Sequence, residues 1–523
     1  MSEPGPLRRE ASFVDLALWA LDRFPDRVAL VEEGRELTYR QVRDRISQLA
    51  GALAERGFGR GTGLMVLAGN VADSLLAGLA ARTLGAWSGA LHPLGSTDDQ
   101  AFILEDSEAL GLVFDPVLYG DRVAEIAARV PSLKHVLSLG PSTVGEDLIA
   151  AAQRQPVTTI ASVAEGDDLC TIGYSGGTTG RPKGVVQRHR TVVEMTNQII
   201  NGWQLPKDIR FLAATPISHA AACFVLPTWM SGGTVVLQKG FDPESFYRAI
   251  AEHRITLTFM VPTMLYVLLD HPATATADVT SLETVLYGAA PMAPARLRQA
   301  LDVFGPVFVQ LYGQAEAPAT VTALRKEEHD PARPELFGSC GKPLPGVTVA
   351  LLDDDDTEVA IGDVGEICVR GRIVADGYWK RPELTAETLR NGWLHTGDMA
   401  RADGDGYLYI VDRKKDMIIS GGFNVYPREI EDVLATHPDV AMATAIGVPD
   451  ERWGEAVKAL VVARAGATVD PDELIALVRD RKGPVYAPKA IDVVDSVPLT
   501  GIGKPDRKAI RARYWGDQER AVH

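Results

Sequence analysis

The chain has 523 residues, of which 46% are hydrophobic and 23% charged, and its formal net charge is −16. That length exceeds one compact core, so two or more domains are expected. The acidic balance excludes a general binder of nucleic acid or anionic membrane, so a polyanionic ligand would need local basic residues and backbone N–H groups. The first residues lack the apolar core of a signal peptide, and no apolar run approaches the roughly 20 residues of a membrane span. We therefore expect a cytoplasmic protein without a membrane span.

The first 300 residues alternate between strand and helix patterns. Thr38–Gln41 has the pattern of a capping box that starts a helix. Periodicity predicts helices at 72–84 and 294–304 and strands at 62–68, 87–91, 257–261, 285–288 and 307–312. This alternation is typical of parallel sheets covered by helices, an α/β fold whose ligands lie at the carboxyl ends of strands.

The pattern changes in the second half of the chain. Short predicted strands at 338–341, 347–352, 365–370 and 406–411 indicate a separate β region, and the acidic run 353–356 predicts a hairpin turn. After residue 412 we expect strands at 440–448 and 457–463, a helix at 471–481 and a last helix after Pro505. We therefore predict a large domain over 1–411, a boundary at 412–415 and a small α+β domain over 416–523.

The four cysteines, Cys170, Cys223, Cys340 and Cys368, are far apart and form no Cys-x-x-Cys pair. This spacing argues against a zinc site, and the length of the chain argues against a disulfide framework. Buried free thiols in a reducing compartment are expected instead.

The strongest local signal is a glycine-rich segment, Tyr174-Ser-Gly-Gly-Thr-Thr-Gly-Arg-Pro-Lys-Gly184, which follows an apolar strand. Glycines let the backbone approach a phosphate closely, and the hydroxyls of Thr178 and Thr179 and the charge of Lys183 add favourable contacts. The segment is not a Walker A loop, because Gly184 rather than Ser or Thr follows the lysine. Glycine-rich loops also serve simply to turn the chain, but the strand, the two threonines and the lysine together favour a phosphate site.

The segment resembles the phosphate loop of the acyl-CoA synthetase, adenylation domain and luciferase superfamily. Further motifs of that family follow in order: Gln310-Leu-Tyr-Gly-Gln-Ala-Glu316, Gly377-Tyr-Trp379, Trp393-Leu-His-Thr-Gly-Asp398, Asp412-Arg-Lys-Lys-Asp416, Ser420-Gly-Gly-Phe-Asn-Val-Tyr-Pro427 and Thr500-Gly-Ile-Gly-Lys504. The resemblance covers nearly the whole chain. It implies an acyl- or aryl-CoA ligase with a multi-subdomain N-terminal domain, a small barrel-like β region and a mobile C-terminal domain.

The resemblance also implies which residues bind ATP and Mg²⁺. Glu316 matches the magnesium carboxylate, with Thr179 as a second ligand, and Asp398 matches the acceptor for both ribose hydroxyls. Tyr312 is expected either to stack on adenine or to pack in the core. The other implied nucleotide contacts are Ser175, Gly176, Gly177, Thr178, Lys183, Gly288, Ala289, Ala290, Gln310, Gly313 and Arg413.

Lys504 matches the family's catalytic lysine, whose ammonium bridges the carboxylate and the α-phosphate as pyrophosphate leaves. Lys415 matches the hinge that swings the small domain between an adenylating and a thioester-forming pose. His219 matches an aromatic or histidine gate beside the acyl pocket, although a lone histidine in an apolar stretch more often packs in the core.

For coenzyme A, the resemblance implies contacts from Lys239 near the nucleotide phosphates and from Gly421, Gly422 and Phe423 along the pantetheine arm. Trp453 matches an aromatic residue near CoA in some relatives. The resemblance leaves a homodimer open.

One residue departs from the family pattern. Ala315 stands where the family usually has a threonine that bonds the α-phosphate, which removes one donor.

The segment 218–224 carries no Asp or Glu to pair with a substrate ammonium, so we expect an uncharged, apolar acid in fatty acid metabolism or a related route. The small residues Ala220, Ala221, Ala222 and Gly288 are compatible with a roomy acyl pocket for a fatty, aryl or polycyclic acid, or with tight backbone packing. Two alternatives remain: an acyl-AMP ligase that loads a carrier protein, and a non-catalytic nucleotide-binding relative.

Overall fold

The computed structural model describes residues 10–175, 181–420, 423–450, 452–499 and 505–515. Its helices are α1 (Phe13–Arg23), α2 (Tyr39–Ala54), α3 (Ala72–Thr83), α4 (Thr97–Ser107), α5 (Pro116–Arg129), α6 (Leu148–Gln153), α7 (His189–Gly202), α8 (Val225–Met230), α9 (Pro243–His253), α10 (Pro262–Asp270), α11 (Pro294–Phe304), α12 (Pro382–Thr388), α13 (Pro427–Leu434), α14 (Pro471–Lys482) and α15 (Arg507–Trp515). Its strands are β1 (Val28–Glu32), β2 (Arg35–Thr38), β3 (Gly63–Leu67), β4 (Trp87–Ala90), β5 (Gly111–Phe114), β6 (His135–Ser138), β7 (Glu146–Asp147), β8 (Leu169–Ser175), β9 (Lys183–Arg188), β10 (Arg210–Ala213), β11 (Thr234–Leu237), β12 (Leu257–Met260), β13 (Thr284–Gly288), β14 (Phe308–Gln314), β15 (Ala317–Leu324), β16 (Lys342–Pro343), β17 (Thr348–Leu352), β18 (Val364–Arg370), β19 (Gly377–Tyr378), β20 (Leu394–Ala402), β21 (Leu408–Arg413), β22 (Ile418–Ser420), β23 (Phe423–Val425), β24 (Val440–Asp450), β25 (Gly454–Ala463) and β26 (Ala490–Val493). Short 3-10 helices cover Ala220–Phe224, Pro272–Ala275, Lys326–Glu328, Pro334–Gly338 and Lys414–Asp416.

Two largely parallel sheets form the large domain. The first has the strand order β16-β15-β14-β13-β12-β10-β11-β1-β2, with a parallel core from β14 to β1. The second, β4-β3-β5-β6-β7, is parallel throughout. Their central strands are short apolar runs that are buried on both faces, as parallel sheets require, whereas the edge strands β2 and β7 are polar and partly exposed. The α/β prediction is therefore confirmed.

Two antiparallel sheets complete the large domain. Strands β19, β9 and β8 form a three-stranded sheet. Strands β17, β18, β20 and β21 form a four-stranded sheet in that order, and the acidic run turns the chain after β17, where Asp353 Oδ1 accepts from the N–H groups of Asp355 and Thr357. The predicted barrel-like region is thus a four-stranded antiparallel sheet whose edge strands in the described residues are β17 and β21.

A separate small domain contains strands β22 to β26. Its sheet has the order β23-β22-β25-β24, and β26 pairs parallel to β25. An independent core of buried side chains, including Ile418, Leu434 and Val457, lies between this sheet and helices α13 and α14. The predicted α+β domain is therefore confirmed.

Most predicted elements lie within two or three residues of those observed, and the helix at 294–304 matches α11. The capping box is present: the Thr38 hydroxyl accepts from the N–H of Gln41, and the Gln41 side chain accepts from the N–H of Thr38. The strand predicted at 338–341 is instead the end of a 3-10 helix that starts at Pro334, followed by the edge strand β16. Proline fixes φ and has no N–H, so Pro334 favours a helical start and Pro343 an edge position. In the described part of the chain, no helix combines the length and apolarity that a membrane crossing requires.

Candidate active site

The glycine-rich segment connects β8 to β9, which form an antiparallel hairpin in which Ser175 faces Lys183. The loop residues Gly176, Gly177, Thr178 and Thr179 lie outside the described residues. The base of the hairpin is tightly packed, because a Cβ on Gly184 would lie 2.8 Å from Ile172 Cγ2 and 3.0 Å from Tyr174 Cζ. The hairpin therefore fixes the positions of Ser175 and Lys183 at either end of the loop.

Asp106, at the end of α4, ties this hairpin to the segment after β19. Its carboxylate accepts from the Tyr174 hydroxyl at 2.7 Å and pairs with Arg381 at 2.9 Å. Its carbonyl accepts from the Trp379 indole at 3.0 Å. One residue thus holds the phosphate-loop strand and the Gly377–Trp379 motif together, although no sequence signal marked it.

Glu316 lies in the two-residue turn between β14 and β15, where Gln314 pairs with Ala317. Its Oε1 accepts a hydrogen bond of 2.6 Å from the Tyr378 hydroxyl, and the Nζ of Lys183 lies 5.8 Å from the centroid of the Tyr378 ring. Burial, reinforced by the Glu316 charge, raises the pKa of Tyr378, so its hydroxyl stays a donor. Lys183, Tyr378 and Glu316 form one cluster, which we call the phosphate cluster.

Ala315 shares the turn with Glu316. Its carbonyl accepts from the Gln187 side chain of β9 at 2.7 Å, so the backbone at this position is fixed without a threonine hydroxyl. Gly313 permits the tight hairpin, since a Cβ there would lie 2.4 Å from the Ala319 nitrogen.

Asp398 lies on β20 opposite Arg413 of β21. This carboxylate is 6% exposed, and it accepts from the Tyr312 hydroxyl at 2.7 Å and lies 3.3 Å from Nε of Arg413. Burial and the adjacent Asp398 charge raise the pKa of Tyr312 well above its usual value, and Asp398 raises the pKa of Arg413. Tyr312, Asp398 and Arg413 thus form a second cluster, the ribose cluster, in which the tyrosine hydroxyl is already bonded.

A buried polar network lies next to the ribose cluster and fixes the backbone beside Asp398. Glu366 Oε1 accepts from the N–H of Gly397 at 2.8 Å, and its Oε2 lies 3.4 Å from His395 Nδ1 and 3.6 Å from Lys414 Nζ. Cys368 Sγ lies 3.3 Å from the same imidazole nitrogen. Glu366, Cys368 and His395 have a composition that could bind a metal ion, but Lys414 already supplies the positive charge there.

The predicted nucleotide contacts Gly288, Ala289 and Ala290 lie at the end of β13 and directly after it. Gly288 is buried, and a Cβ there would lie 2.3 Å from the Leu311 carbonyl of β14. Close packing against β14 is therefore sufficient to require a glycine at this position, whether or not a ligand binds there. Ala289 is exposed and has a φ of +63°, in the left-handed region that non-glycine residues rarely adopt. Ala290 is half-buried beside it. Gln310 of β14 has a buried Oε1 with no hydrogen-bond partner among the described residues, which fits a site that accepts a polar ligand group.

His219 lies in the loop after β10, and its ring centroid is 4.5 Å from that of His92, edge to face. Desolvation of the ring, with a smaller effect from His92, lowers the pKa of His219 to about 4, so the imidazole is neutral near pH 7. His92 follows β4 of the other parallel sheet, and no sequence motif pointed to it. The two histidines are far apart in sequence, and only the short distance between their rings in the fold identifies them as a pair.

The residues predicted to bind CoA are dispersed over the surface. Lys239 forms a half-exposed ion pair of 2.8 Å with Glu33. Phe423 and Trp453 of the small domain are 60% and 38% exposed, and Lys489 lies 5.7 Å from the centroid of the Trp453 ring. Gly421 and Gly422 lie outside the described residues.

The segment 412–416 joins the two domains. Arg507 of α15 pairs with Asp412 at 3.0 Å, with Asp416 at 3.5 Å and with Glu431 at 2.7 Å. Partial burial and the neighbouring Arg413 charge lower the pKa of Lys415. Lys504 lies outside the described residues, three positions before Arg507.

The AMP-binding enzyme family matches residues 18–379, and the AMP-binding enzyme C-terminal domain matches residues 429–504. The chain is 46% identical over 521 residues to the medium/long-chain-fatty-acid–CoA ligase FadD8 of Mycobacterium tuberculosis, covering 97% of this chain and 91% of that protein. It is 38% identical over 496 residues to the feruloyl-CoA synthase of an Amycolatopsis species, covering 94% and 96% of the two chains. The structure of the amide bond synthetase McbA from Marinactinospora thermotolerans superposes with a TM-score of 0.88 at 36% identity, covering 96% of this chain and 99% of that one. These likenesses confirm the resemblance read from the motifs: the chain belongs to the AMP-binding enzymes, as an acyl-CoA ligase of the adenylate-forming superfamily.

Proposed function

We propose that this ligase activates an apolar carboxylic acid with ATP and then transfers the acyl group to coenzyme A. The phosphate cluster carries this proposal, because a lysine, a tyrosine and a carboxylate from three separate segments meet beside the glycine-rich loop. In the first step the acid's carboxylate oxygen attacks the α-phosphorus, and pyrophosphate leaves. In the second step the CoA thiol attacks the acyl carbonyl, loses its proton, and AMP leaves.

We assign each cluster a part in the first step. Lys183 provides positive charge to the phosphates. Asp398 accepts from the ribose hydroxyls, and Arg413 lies beside the ribose and the phosphates. Glu316 and Thr179 would hold Mg²⁺, which when bound supplies positive charge to phosphate oxygens. A carboxylate suits this hard ion. The Tyr378 hydroxyl bonds only one oxygen of Glu316, so the carboxylate keeps lone pairs that could bind the ion. Lys504 stays our candidate for stabilising the negative charge of the departing pyrophosphate.

We propose that the acid is uncharged apart from its carboxylate. His219 is neutral at physiological pH because its pKa is about 4, and the neighbouring segment 218–224 has no carboxylate that could pair with an ammonium. The names of the fatty-acid and feruloyl relatives are compatible with this choice. The acid class therefore includes fatty, aryl and polycyclic acids and excludes free α-amino acids.

ATP–pyrophosphate exchange with a panel of fatty, aryl, polycyclic and α-amino acids tests the first step. We expect exchange with at least one apolar acid and none with the amino acids. Asp398→Asn should abolish most of the exchange, whereas the surface variant Asp278→Asn is a matched control that should retain it. Exchange that is strongest with an amino acid would overturn the acid class, and no exchange with any acid would favour the non-catalytic alternative.

Thioester formation with CoA and, separately, with phosphopantetheinylated carrier proteins tests the acceptor. We expect CoA to be the better acceptor, and a preference for a carrier protein would establish the alternative ligase.

We also propose a hinge at 412–415 and a cytoplasmic location. The four cysteines, which are all free thiols, suit a reducing compartment. Light scattering in solution would decide between a monomer and a homodimer.

A further inference from the structure

His92 and His219 come from different parallel sheets and meet ring to ring. The centroids are 4.5 Å apart with an interplanar angle of 68°, the edge-to-face arrangement that the ring quadrupole favours. His92 follows β4 of the five-stranded sheet, and His219 lies in the loop after β10 of the nine-stranded sheet. The contact therefore bridges two subdomains at the carboxyl ends of their strands.

The ring of His92 is held in place by its own turn. Its Nδ1 accepts from the N–H of Leu94 at 3.0 Å, and its carbonyl accepts from the side chain of Gln100 at 2.8 Å. The adjacent Pro93 carbonyl accepts from Arg122 at 3.1 Å. Because Nδ1 is an acceptor, the neutral ring carries its proton on Nε2. His92 is thus a fixed platform on the first subdomain.

The loop that carries His219 is fixed along its backbone, since the His219 N–H donates to the Pro216 carbonyl at 3.1 Å and the His219 carbonyl accepts from the N–H of Ala222 at 3.0 Å. The buried side chain of Asn70 donates to the carbonyls of Ala213 and Thr215 and accepts from the N–H of Ile217 at 2.8 Å. Beyond that clamp, His219 as a whole residue is exposed, but its imidazole is packed against the His92 ring and hydrogen-bonded to Ser218 Oγ at 2.8 Å, which desolvates the ring. With the backbone fixed, two side-chain contacts set the orientation of the imidazole: the Ser218 hydroxyl and the His92 ring.

We propose that His92 is a positioning residue that holds the His219 imidazole at the entrance of the acyl pocket and thereby sets the affinity for the acid. This inference rests on the proposed function and on the prediction from the resemblance that His219 lies beside the acyl pocket. His92 acts through His219 and does not touch the reacting atoms.

The electrostatics of the pair support this assignment. Desolvation, and then the charge that His92 would carry, lower the pKa of His219 to about 4, and burial lowers the pKa of His92 as well. His92 is the titratable group in the described chain whose charge acts on His219. A folded-state pKa below the usual value means that the neutral ring persists down to about pH 4. Removing His92 takes away the smaller of the two effects, so it should raise the pKa of His219 while desolvation still lowers it.

A double-mutant cycle tests the proposal in the full-length enzyme, with the acid that gives the strongest pyrophosphate exchange. We expect His92→Ala to raise the KM for the acid about fivefold or more while the KM for ATP is unchanged. His92→Phe, which keeps an aromatic edge, should restore most of the affinity. In a His219→Ala background, His92→Ala should have little further effect. His135→Ala, on β6 of the same sheet, is the matched control and should match the wild type.

The pH profile of kcat/KM for the acid is a second measurement that a merely structural role would not change. The wild type should show no loss from His219 protonation above pH 5, and the acid limb of His92→Ala should begin at a higher pH than that of the wild type. Additive effects in the cycle, or an unchanged KM for the acid in folded His92→Ala, would overturn the inference. A wild type that exchanges pyrophosphate with no acid would instead defeat the proposed function, so the two failures are distinguishable.

Discussion

Tyr378 connects the two sides of the phosphate cluster. Its hydroxyl donates to Glu316 at 2.6 Å, and its ring faces Lys183, so one side chain orients a carboxylate and lies beside a cation. Hydrogen bonds to charged groups are stronger than neutral ones, and they fix the orientation of a carboxylate that must bind a ligand. Tyr378 therefore positions the two charged groups on either side of it.

We expect Tyr378→Phe to slow adenylation about tenfold, because a hydrogen bond to a charged group contributes about 1.5–3 kcal/mol. The ring remains, so the fold and the contact with Lys183 should persist. Steady-state ATP–pyrophosphate exchange at saturating acid is the measurement, with circular dichroism to confirm folding. Tyr409→Phe is the matched control, since its hydroxyl donates to Asp403 in the turn between β20 and β21. Equal rates for Tyr378→Phe and the control would show that the hydroxyl does not position Glu316.

At the scale of elements, the hairpin of β8 and β9 depends on one crowded glycine. Gly184 is buried, and a Cβ there would meet Ile172, Tyr174 and Trp379 within 3.2 Å. Gly173, on the other strand of the same hairpin, has open space at the corresponding Cβ position. Comparing alanine substitutions at the two glycines therefore distinguishes the effect of steric crowding at Gly184 from the general effect of replacing a glycine in a strand.

Gly184→Ala should destabilise the large domain by roughly 1–3 kcal/mol, since overpacking forces neighbouring side chains out of their rotamers. Gly173→Ala should be neutral or slightly stabilising, because alanine reduces the entropy of the unfolded chain where its Cβ fits. Urea denaturation monitored by tryptophan fluorescence measures both. Equal midpoints for the two variants would mean that the hairpin is not tightly packed at Gly184.

The sequence predicted elements with clear periodicity and motifs with fixed spacing. Helix α11 and the capping box at Thr38 follow from local patterns. Asp106 and His92 could not be identified in this way, because their partners are distant in sequence and only the folded chain brings them together. The family motif contained Tyr378, but its bond to Glu316 depends on how two separate sheets pack.

At the scale of the whole molecule, Arg507 connects the inter-domain segment to the small domain. It pairs with Asp412 and Asp416 on either side of Lys415, and also with Glu431 of α13. The buried charges hold both ends of the segment against α15. A rotation at 412–415 would therefore carry Lys504, three positions before Arg507 in the chain, with the small domain.

We expect the two half-reactions to depend on different residues of the small domain. Lys504→Ala should slow adenylation by orders of magnitude but spare thioester formation from a supplied acyl-adenylate. Lys415→Pro should do the reverse if φ is fixed in the adenylating pose, because the hinge can no longer rotate. Each half-reaction is assayed separately in both variants. Equal loss of both half-reactions in both folded variants would contradict a rotating domain.

The most direct measurement of the central claim is a single-turnover reaction of the wild-type enzyme with ATP and an apolar acid, first without and then with CoA. We predict that stoichiometric pyrophosphate and enzyme-bound acyl-AMP form before CoA is added. Addition of CoA should then convert the acyl-AMP to acyl-CoA with release of an equal amount of AMP. Release of ADP and phosphate, or acyl-CoA formation without a prior acyl-AMP, would contradict the account.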